Sequence, residues 1–254
     1  MRAAVFCYDF PHRKSQDFIL RLWLEAIPVV AVIGAPPVPL SRPASTLRVN
    51  PRYTGMLHPA RICARLGISY YVLEHSTPQA AAVIREQRVD LVLIGGARII
   101  RGETLAAARW GMINFHPGLI PEVRGLDALK WSVYSDVPPG VTAHFIDARV
   151  DAGCIISRRR IPVFRDDAWI DLSLRLHETQ VELLPTVLRR VADHPARDAY
   201  PAVPDGRVNR AMPPTMERVA AARFETWKAR HARAEAEDDA GFGEPVAPRL
   251  ADGP

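Results

Sequence analysis

The sequence predicts an α/β fold: a Rossmann-like, mainly parallel sheet with flanking helices, followed by a short C-terminal extension. Two observations carry this prediction. Apolar runs of strand length alternate with amphipathic segments of helix length through the first two thirds of the chain, the pattern of successive βαβ units. After residue 125 that rhythm changes, and a Pro-rich stretch precedes one last amphipathic helix.

In order, strands are expected at 3–7, 28–33, 69–73, 90–94 and 112–115, where Val, Ile, Leu and Phe concentrate. Between them, Gln16–Glu25, His58–Leu66, Pro78–Gln87 and Glu103–Ala108 carry the helical period. The segment 35–55, with Pro36, Pro37, Pro39, Pro43 and Pro51, is a long loop. Loops of that length are commonly functional, which makes it a candidate substrate lid. A helix over Leu126–Tyr134, two β-rich stretches at 141–147 and 154–163, and a long helix over Trp169–Val191 follow. Pro195, Pro201, Pro204, Pro213 and Pro214 make 195–216 an extended arm. Ala220, Phe224, Trp227 and His231 recur at i, i+4, i+7 and i+11, giving a final helix with one apolar stripe. That stripe needs apolar cover, either from its own domain or from a second copy of the chain in a homodimer. The tail from Asp239 lacks hydrophobic pattern and is expected to be disordered. The chain therefore divides into 1–194, 195–238 and 239–254.

Composition excludes several classes. With 48% hydrophobic and 24% charged residues, the 254-residue chain can bury a sizeable core. Its net charge of +5 is spread, 33 Lys and Arg being interleaved with 28 Asp and Glu, so no nucleic-acid-binding stripe is expected. Cys7, Cys63 and Cys154 show neither a disulfide framework nor zinc spacing, which fits a reducing cytoplasm. No apolar run reaches the roughly eighteen residues of a membrane span. Gly95, Gly96 and Gly102 do not form a dinucleotide or P-loop fingerprint. His177 and His194 have no carboxylate at metal spacing, so no metal is expected.

The chemistry gathers in two stretches. In "GMINFHPGLIP", residues 111–121, strand alternation puts Asn114 and His116 on one face and Ile113 and Phe115 on the other. The strand then gives way to Pro117 and Gly118, at the carboxyl end where open α/β sheets bind ligands. "GVTAHFIDARVDAGCII", residues 140–156, adds His144, Asp147 and Asp151 in a strand-turn-strand region able to fold over the first pair. An amide donor, an imidazole and a carboxylate suit acyl transfer to an amine, though not that reaction alone.

These residues resemble the formyltransferases that use 10-formyltetrahydrofolate. The resemblance rests on N-x-H-P followed by "GLIPEVRG" and Trp131, on "GVTAHFID", and on "DAGCII", and it spans roughly residues 1–190. It implies the formyltransferase fold, with Asn114, His116 and Asp151 as a catalytic triad and His144 as support. Asp151 is then expected to hold His116 in its reactive tautomer and to stabilise its cation. "LIGGARIIRGETL" is similar to the family's pterin-holding segment, which puts Arg98, Ile99 and Ile100 on the folate side together with His144 and Asp147. Gly118, Ala128 and Cys154 depart from residues common in the family, Ser, Pro and Pro respectively.

Three acceptors are open within the resemblance. A methionyl-tRNA enzyme is expected to carry a sizeable C-terminal β-barrel, and a glycinamide ribonucleotide enzyme a Gly-rich loop after its first strand; "CYDFPHRKSQDF" stands there instead. "FPHRKSQDF" and "HPGLIPEVRGLDALKW" look like the short branch that formylates nucleotide-linked amino sugars, GDP-perosamine in particular. A nucleotide diphosphate needs cations, and His12, Arg13, Lys14, Arg124 and the loop 35–55 are the expected contacts, although the first three also read as a solvated helix start. A formyltetrahydrofolate hydrolase and a non-catalytic folate-binding protein are the alternatives; the intact triad disfavours the second.

Overall fold

A computed structural model describes residues 1–39, 44–149, 151–204 and 206–232, with the backbone of 244 and 245. The tail expected to be disordered lies outside the described residues apart from those two, as do residues 40–43 of the long loop. The strands are β1 (Ala3–Tyr8), β2 (Val29–Ala35), β3 (Tyr70–Val72), β4 (Leu91–Ile94), β5 (Gly111–His116), β6 (Gly140–Phe145), β7 (Ile155–Arg160) and a two-residue β8 (Glu244–Pro245). They form one sheet in the order β3-β2-β1-β4-β5-β6-β7-β8. The first five run parallel to one another; β6, β7 and β8 continue the sheet antiparallel. The chain winds outward from β1 to β3, returns across β1 to β4 and winds the other way, so a crevice opens beyond the carboxyl ends of β1 and β4.

Each face of the sheet carries its own core. Val5, Cys7, Ile113, Phe115, Val141 and Phe145 face one side, with α1 (Arg13–Leu24), α4 (Ala128–Tyr134), α5 (Trp169–Asp193) and α6 (Pro214–His231) contributing to that core. Ala4, Phe6, Val92, Ile94 and Met112 face the other, under α3 (Pro78–Glu86). α1 buries Phe18, Ile19 and Leu22 and is capped by His12, whose ring accepts the Ser15 N–H. It starts at Arg13, before the apolar period begins, because the cap and not the buried face sets the start. α2 (Pro59–Leu66) is capped by His58 and ends at Gly67, which adopts φ 69°.

Some elements differ from expectation for local reasons. Glu103–Ala108 is not an α-helix: Gly102–Ala106 forms a 3-10 turn in which Ala107 N–H bonds Thr104 O, before β5 begins at Gly111. α4 begins at Ala128, not Leu126, because Asp127 sits at φ 53°. β7 stops at Arg160, two residues before Pro162, which lacks the N–H a ladder requires. The cationic run on β7 is partly paired, Arg158 with Glu122 at 2.8 Å and Arg159 with Glu182 at 3.6 Å.

The Pro-rich arm and α6 pack on the main domain. Trp131 Nε1–H donates to Arg210 O at 3.0 Å, and Ile155 N–H to Pro201 O at 2.9 Å. Phe224 stacks on Trp169 at 4.3 Å, and the fully buried Trp227 donates its indole N–H to Val137 O. The apolar stripe is thus covered by its own chain, and the homodimer expectation loses the observation it rested on.

α6 also contributes Glu217, which is 1% exposed and meets Lys130 Nζ of α4 at 2.6 Å. Its carboxylate accepts from Ser45 Oγ at 2.7 Å and from Thr46 N–H at 3.0 Å. Burial alone would raise its pKa, but these donors and the Lys130 charge draw it down to about 2. A carboxyl group depressed on folding stabilises the fold above its unfolded pKa, and that stability is lost as pH falls through the folded value. We expect stability to decline between about pH 4.5 and 2 and Glu217→Gln to flatten that slope. Glu217→Ala, which strands a buried ammonium, should cost about 3 to 5 kcal/mol in urea unfolding at neutral pH.

Candidate active site

β5 carries Asn114 and His116 out of the parallel half of the sheet, and its partner β6 runs back antiparallel. In that register Asn114 lies opposite His144 and His116 opposite Thr142, so all four side chains share one face. Ile113 and Phe115 alternate into the core behind them. Thr142 Oγ1–H donates to Gly118 O at 2.8 Å and accepts the Ile120 N–H at 3.0 Å, which tethers the loop after His116.

Asp151 arrives from the turn between β6 and β7. Asp147 accepts the Arg149 N–H at 2.8 Å, while the Arg149 guanidinium reaches both Asp147 and Ala152 O. Gly153 is pressed against Phe145, since a Cβ there would lie 1.8 Å from the Phe145 carbonyl oxygen. Asp151 itself adopts φ 46°, a left-handed conformation that Asp tolerates better than most residues.

Three of these side chains, Asn114, His116 and His144, meet around the Asp151 carboxylate. Oδ2 accepts the Gly125 N–H at 3.0 Å and lies 3.5 Å from His116 Nδ1. Oδ1 lies 3.5 Å from His144 Nε2 and accepts from Asn114 Nδ2 at 3.5 Å. The remaining nitrogen of each imidazole bonds a backbone carbonyl, His116 Nε2 to Val123 O at 3.1 Å and His144 Nδ1 to Phe145 O at 2.8 Å. A carbonyl only accepts, so those nitrogens carry hydrogens, and the other nitrogen of each ring, His116 Nδ1 and His144 Nε2, faces the Asp151 carboxylate. The Val123 carbonyl engages His116 Nε2, while Asp151, expected to set the tautomer, faces Nδ1.

Charge follows burial. Desolvation holds His116 below its ordinary pKa against the pull of the Asp151 charge. Burial would raise Asp151, but His116, His144 and the Gly125 N–H hold it well below the usual carboxylate range. Lys14 of α1 donates to the Phe115 carbonyl at 2.8 Å, and burial pushes its ammonium down to about 7 although Asp151 opposes the shift. The centre therefore holds one ionised carboxylate beside His116, whose neutral form burial favours.

A cavity of about 980 Å³ adjoins this centre at Pro117. His12, Arg13 and Lys14 line it, with Arg48, Arg52, Tyr53, Lys130, His177 and Glu217. Lys14 is not the solvated helix residue that a charged start would suggest. Arg124 does not reach the cavity lining: it is 4% exposed and donates to Gly206 O in the arm. On the other flank, beyond β4, Arg98 donates to Pro36 O, Ile100 is buried, and Ile99 is 55% exposed. Among the described residues the backbone N–H groups of Arg98, Ile99 and Ile100 have no protein acceptor. That ledge suits a flat heteroaromatic ring with acceptors along one edge.

A family model described as formyl transferase matches residues 16–188, more than half of the chain. The chain belongs to the formyl transferase family. A methionyl-tRNA formyltransferase of Chlorobium luteolum is 33% identical over 117 residues, which cover 46% of this chain and 37% of that relative. The chain thus spans little more than a third of the length of the curated relatives it matches. Among solved structures, glycinamide ribonucleotide transformylase 1 from Symbiobacterium toebii superposes with a TM-score of 0.58 at 25% identity, covering 76% of this chain and 88% of that one. A sugar N-formyltransferase from a Shewanella species superposes with a TM-score of 0.58 at 18% identity over 99% of both chains.

Sequence reading named the four polar residues that the structure brings together, Asn114, His116, His144 and Asp151, but missed their supports. The Gly125 and Val123 contacts involve backbone atoms, which side-chain motifs do not announce. Arg48 and Arg52, Lys130, and Glu217 come from three separate stretches, and only the Pro-rich character of the loop pointed to any of them. At Gly118, where the family often has Ser, a Cβ would lie 2.8 Å from His116 Nε2 and 2.9 Å from Val123 O.

Gly125 sits at φ 90°, and a Cβ there would lie 2.2 Å from Asn209 O. Gly125→Ala keeps the N–H that Asp151 accepts but forces it to move. It should destabilise the chain by about 1 to 3 kcal/mol in urea unfolding and raise the pKa of Asp151, followed by carboxyl NMR.

Proposed function

We propose that this chain transfers a formyl group from 10-formyltetrahydrofolate to the amine of a nucleotide-linked amino sugar. GDP-perosamine is the first acceptor to test, and O-antigen or related surface glycan synthesis is the process it would serve. The observation that carries the acceptor class is the cavity at Pro117: five Lys and Arg residues line it against the carboxylates of Asp127 and Glu217, and Tyr53, Leu126 and Met56 add apolar wall. A nucleotide diphosphate needs that combination of cations and flat or apolar surface. The likeness to a sugar N-formyltransferase over the whole length supports the same reading, as does one to a 4-N formyltransferase from Francisella tularensis, with a TM-score of 0.55 at 17% identity. The methionyl-tRNA relatives match over only part of their length, so charged tRNA belongs in the same assay.

The donor fits the flank opposite the cavity. The free N–H groups of 98–100 and the exposed Ile99 would hold its ring, with His144 and Asp147 closing the far side. 10-Formyltetrahydrofolate supplies the carbonyl carbon that the amine attacks. Asn114 donates its amide N–H to the formyl oxygen as charge develops there, its Nδ2 already oriented by Asp151 at 3.5 Å. His116 receives the amine proton at Nδ1, the nitrogen that faces Asp151. Asp151, 3.5 Å away, stabilises the imidazolium so formed, which returns the proton to N10 as the intermediate collapses, the bond from the formyl carbon to N10 breaks and tetrahydrofolate leaves. The cavity aligns the amine through remote contacts with the nucleotide, so their binding energy favours the reacting geometry.

Asn114→Ala and His116→Ala should each lower turnover by about a hundred- to a thousandfold while the protein remains folded by circular dichroism. His116 must be neutral to accept a proton and burial depresses its pKa. kcat/KM should therefore be flat through neutrality and fall only as pH drops below the ordinary histidine range, and Lys14→Met should retain that limb. Mass spectrometry over a panel of nucleotide-linked amino sugars, glycinamide ribonucleotide and methionyl-tRNA decides the acceptor. Formylation of either of the last two at least as efficiently as every amino sugar would overturn the acceptor class and leave the triad standing.

A further inference from the structure

We propose that Arg48 and Arg52 form a phosphate-binding subsite on the rim of the cavity, and that Glu217 of α6 sets its position. The identity of the ligand rests on the acceptor reading above; the subsite rests on geometry. Most cations of the cavity are already engaged: Arg13 with Asp17 at 2.6 Å, Lys130 with Glu217 at 2.6 Å, and Lys14 with the Phe115 carbonyl. Arg48 and Arg52 have no ion pair or hydrogen-bond partner among the described residues. The lining carboxylates are occupied too, Asp127 accepting the Met212 N–H at 2.8 Å and Glu217 held by three donors. The two open guanidinium groups thus face a concavity where no protein anion answers them, and forked N–H donors match phosphate oxygens.

The rim is held at points that bracket both arginines. Upstream of Arg48, Ser45 Oγ and Thr46 N–H bond Glu217, and Lys130 Nζ donates to Ser45 Oγ at 3.1 Å. Between the two arginines, Asn50 Oδ1 accepts from Ser173 Oγ of α5 at 3.1 Å. Just beyond Arg52, the Arg13 guanidinium lies over the Tyr53 ring at 5.4 Å. The segment expected to be a lid is, from residue 45 onward, a strap pinned to four helices. Holding the backbone on either side of each arginine reduces the freedom lost when a ligand binds. Glu217 is the buried end of the first pin, so a carboxylate of the C-terminal helix acts as a positioning residue for a binding site formed by the N-terminal half.

The test uses the full chain with inorganic pyrophosphate as probe, by calorimetry, and with GDP in a parallel arm. Pyrophosphate should bind and GDP should bind tighter, and Arg48→Gln/Arg52→Gln should weaken both by about tenfold or more. Ser45→Ala removes one Glu217 contact without stranding a buried charge. It should weaken pyrophosphate several-fold and speed tryptic cleavage after Arg48, while Ser45→Thr, which keeps a hydroxyl, restores both. Wild-type pyrophosphate affinity in the double variant would overturn the subsite. Wild-type affinity and cleavage in Ser45→Ala would overturn the positioning role. Neither readout uses formyl transfer: failure to formylate any amino sugar would overturn the acceptor class and leave the subsite, whereas amino-sugar formylation without pyrophosphate binding would overturn the subsite alone.

Discussion

The geometry of the site depends on the buried carboxylate of Asp151. A carboxylate charge removed from water must find donors and cations or take up a proton, and three separate pieces of the chain supply them. β5 brings Asn114 and His116, β6 brings His144, and the loop after β5 brings the Gly125 N–H. The same arrangement places an imidazole nitrogen and an amide donor against one carboxylate.

The C-terminal segments are part of this construction. The arm bonds the loop on both sides of Gly125, Asn209 N–H donating to Arg124 O and Leu126 N–H to Asn209 O, each at 2.9 Å. Gly125 can lie so close to the arm only because it has no side chain. Farther along, α6 carries Glu217 under the rim of the cavity and Trp227 into the core. One face of the extension thus supports the Asp151 donor and another supports the cavity rim, which couples the stability of α6 to the shape of both.

Electrostatically, the centre and the cavity do opposite things. At the centre the Asp151 carboxylate lies beside His116, whose charge burial disfavours and Asp151 favours. In the cavity positive charge exceeds negative, and two arginines remain unanswered. An anionic acceptor would be attracted to the cavity and its amine led to the centre, with Lys14 between them on the carbonyl that separates Asn114 from His116.

Sequence alone determined the alternation of strands and helices and singled out the carboxyl end of β5 and Asn114, His116, His144 and Asp151, which the fold then brings together. Those features are local: a period of two places Asn114 with His116, and a motif keeps its order along the chain. Element ends were less legible where backbone conformation decided them, as at Asp127 with its φ of 53° and at the 3-10 turn after Gly102. Only the tertiary structure decided that the Val123 carbonyl engages His116 Nε2, that Arg124 turns to the arm, and that the apolar stripe of α6 is covered within the chain. It alone brought Glu217 within 2.7 Å of Ser45, 172 positions away. Backbone carbonyls have no signature in a sequence, and a buried carboxylate is matched to its cation by packing across the fold, not by spacing along the chain.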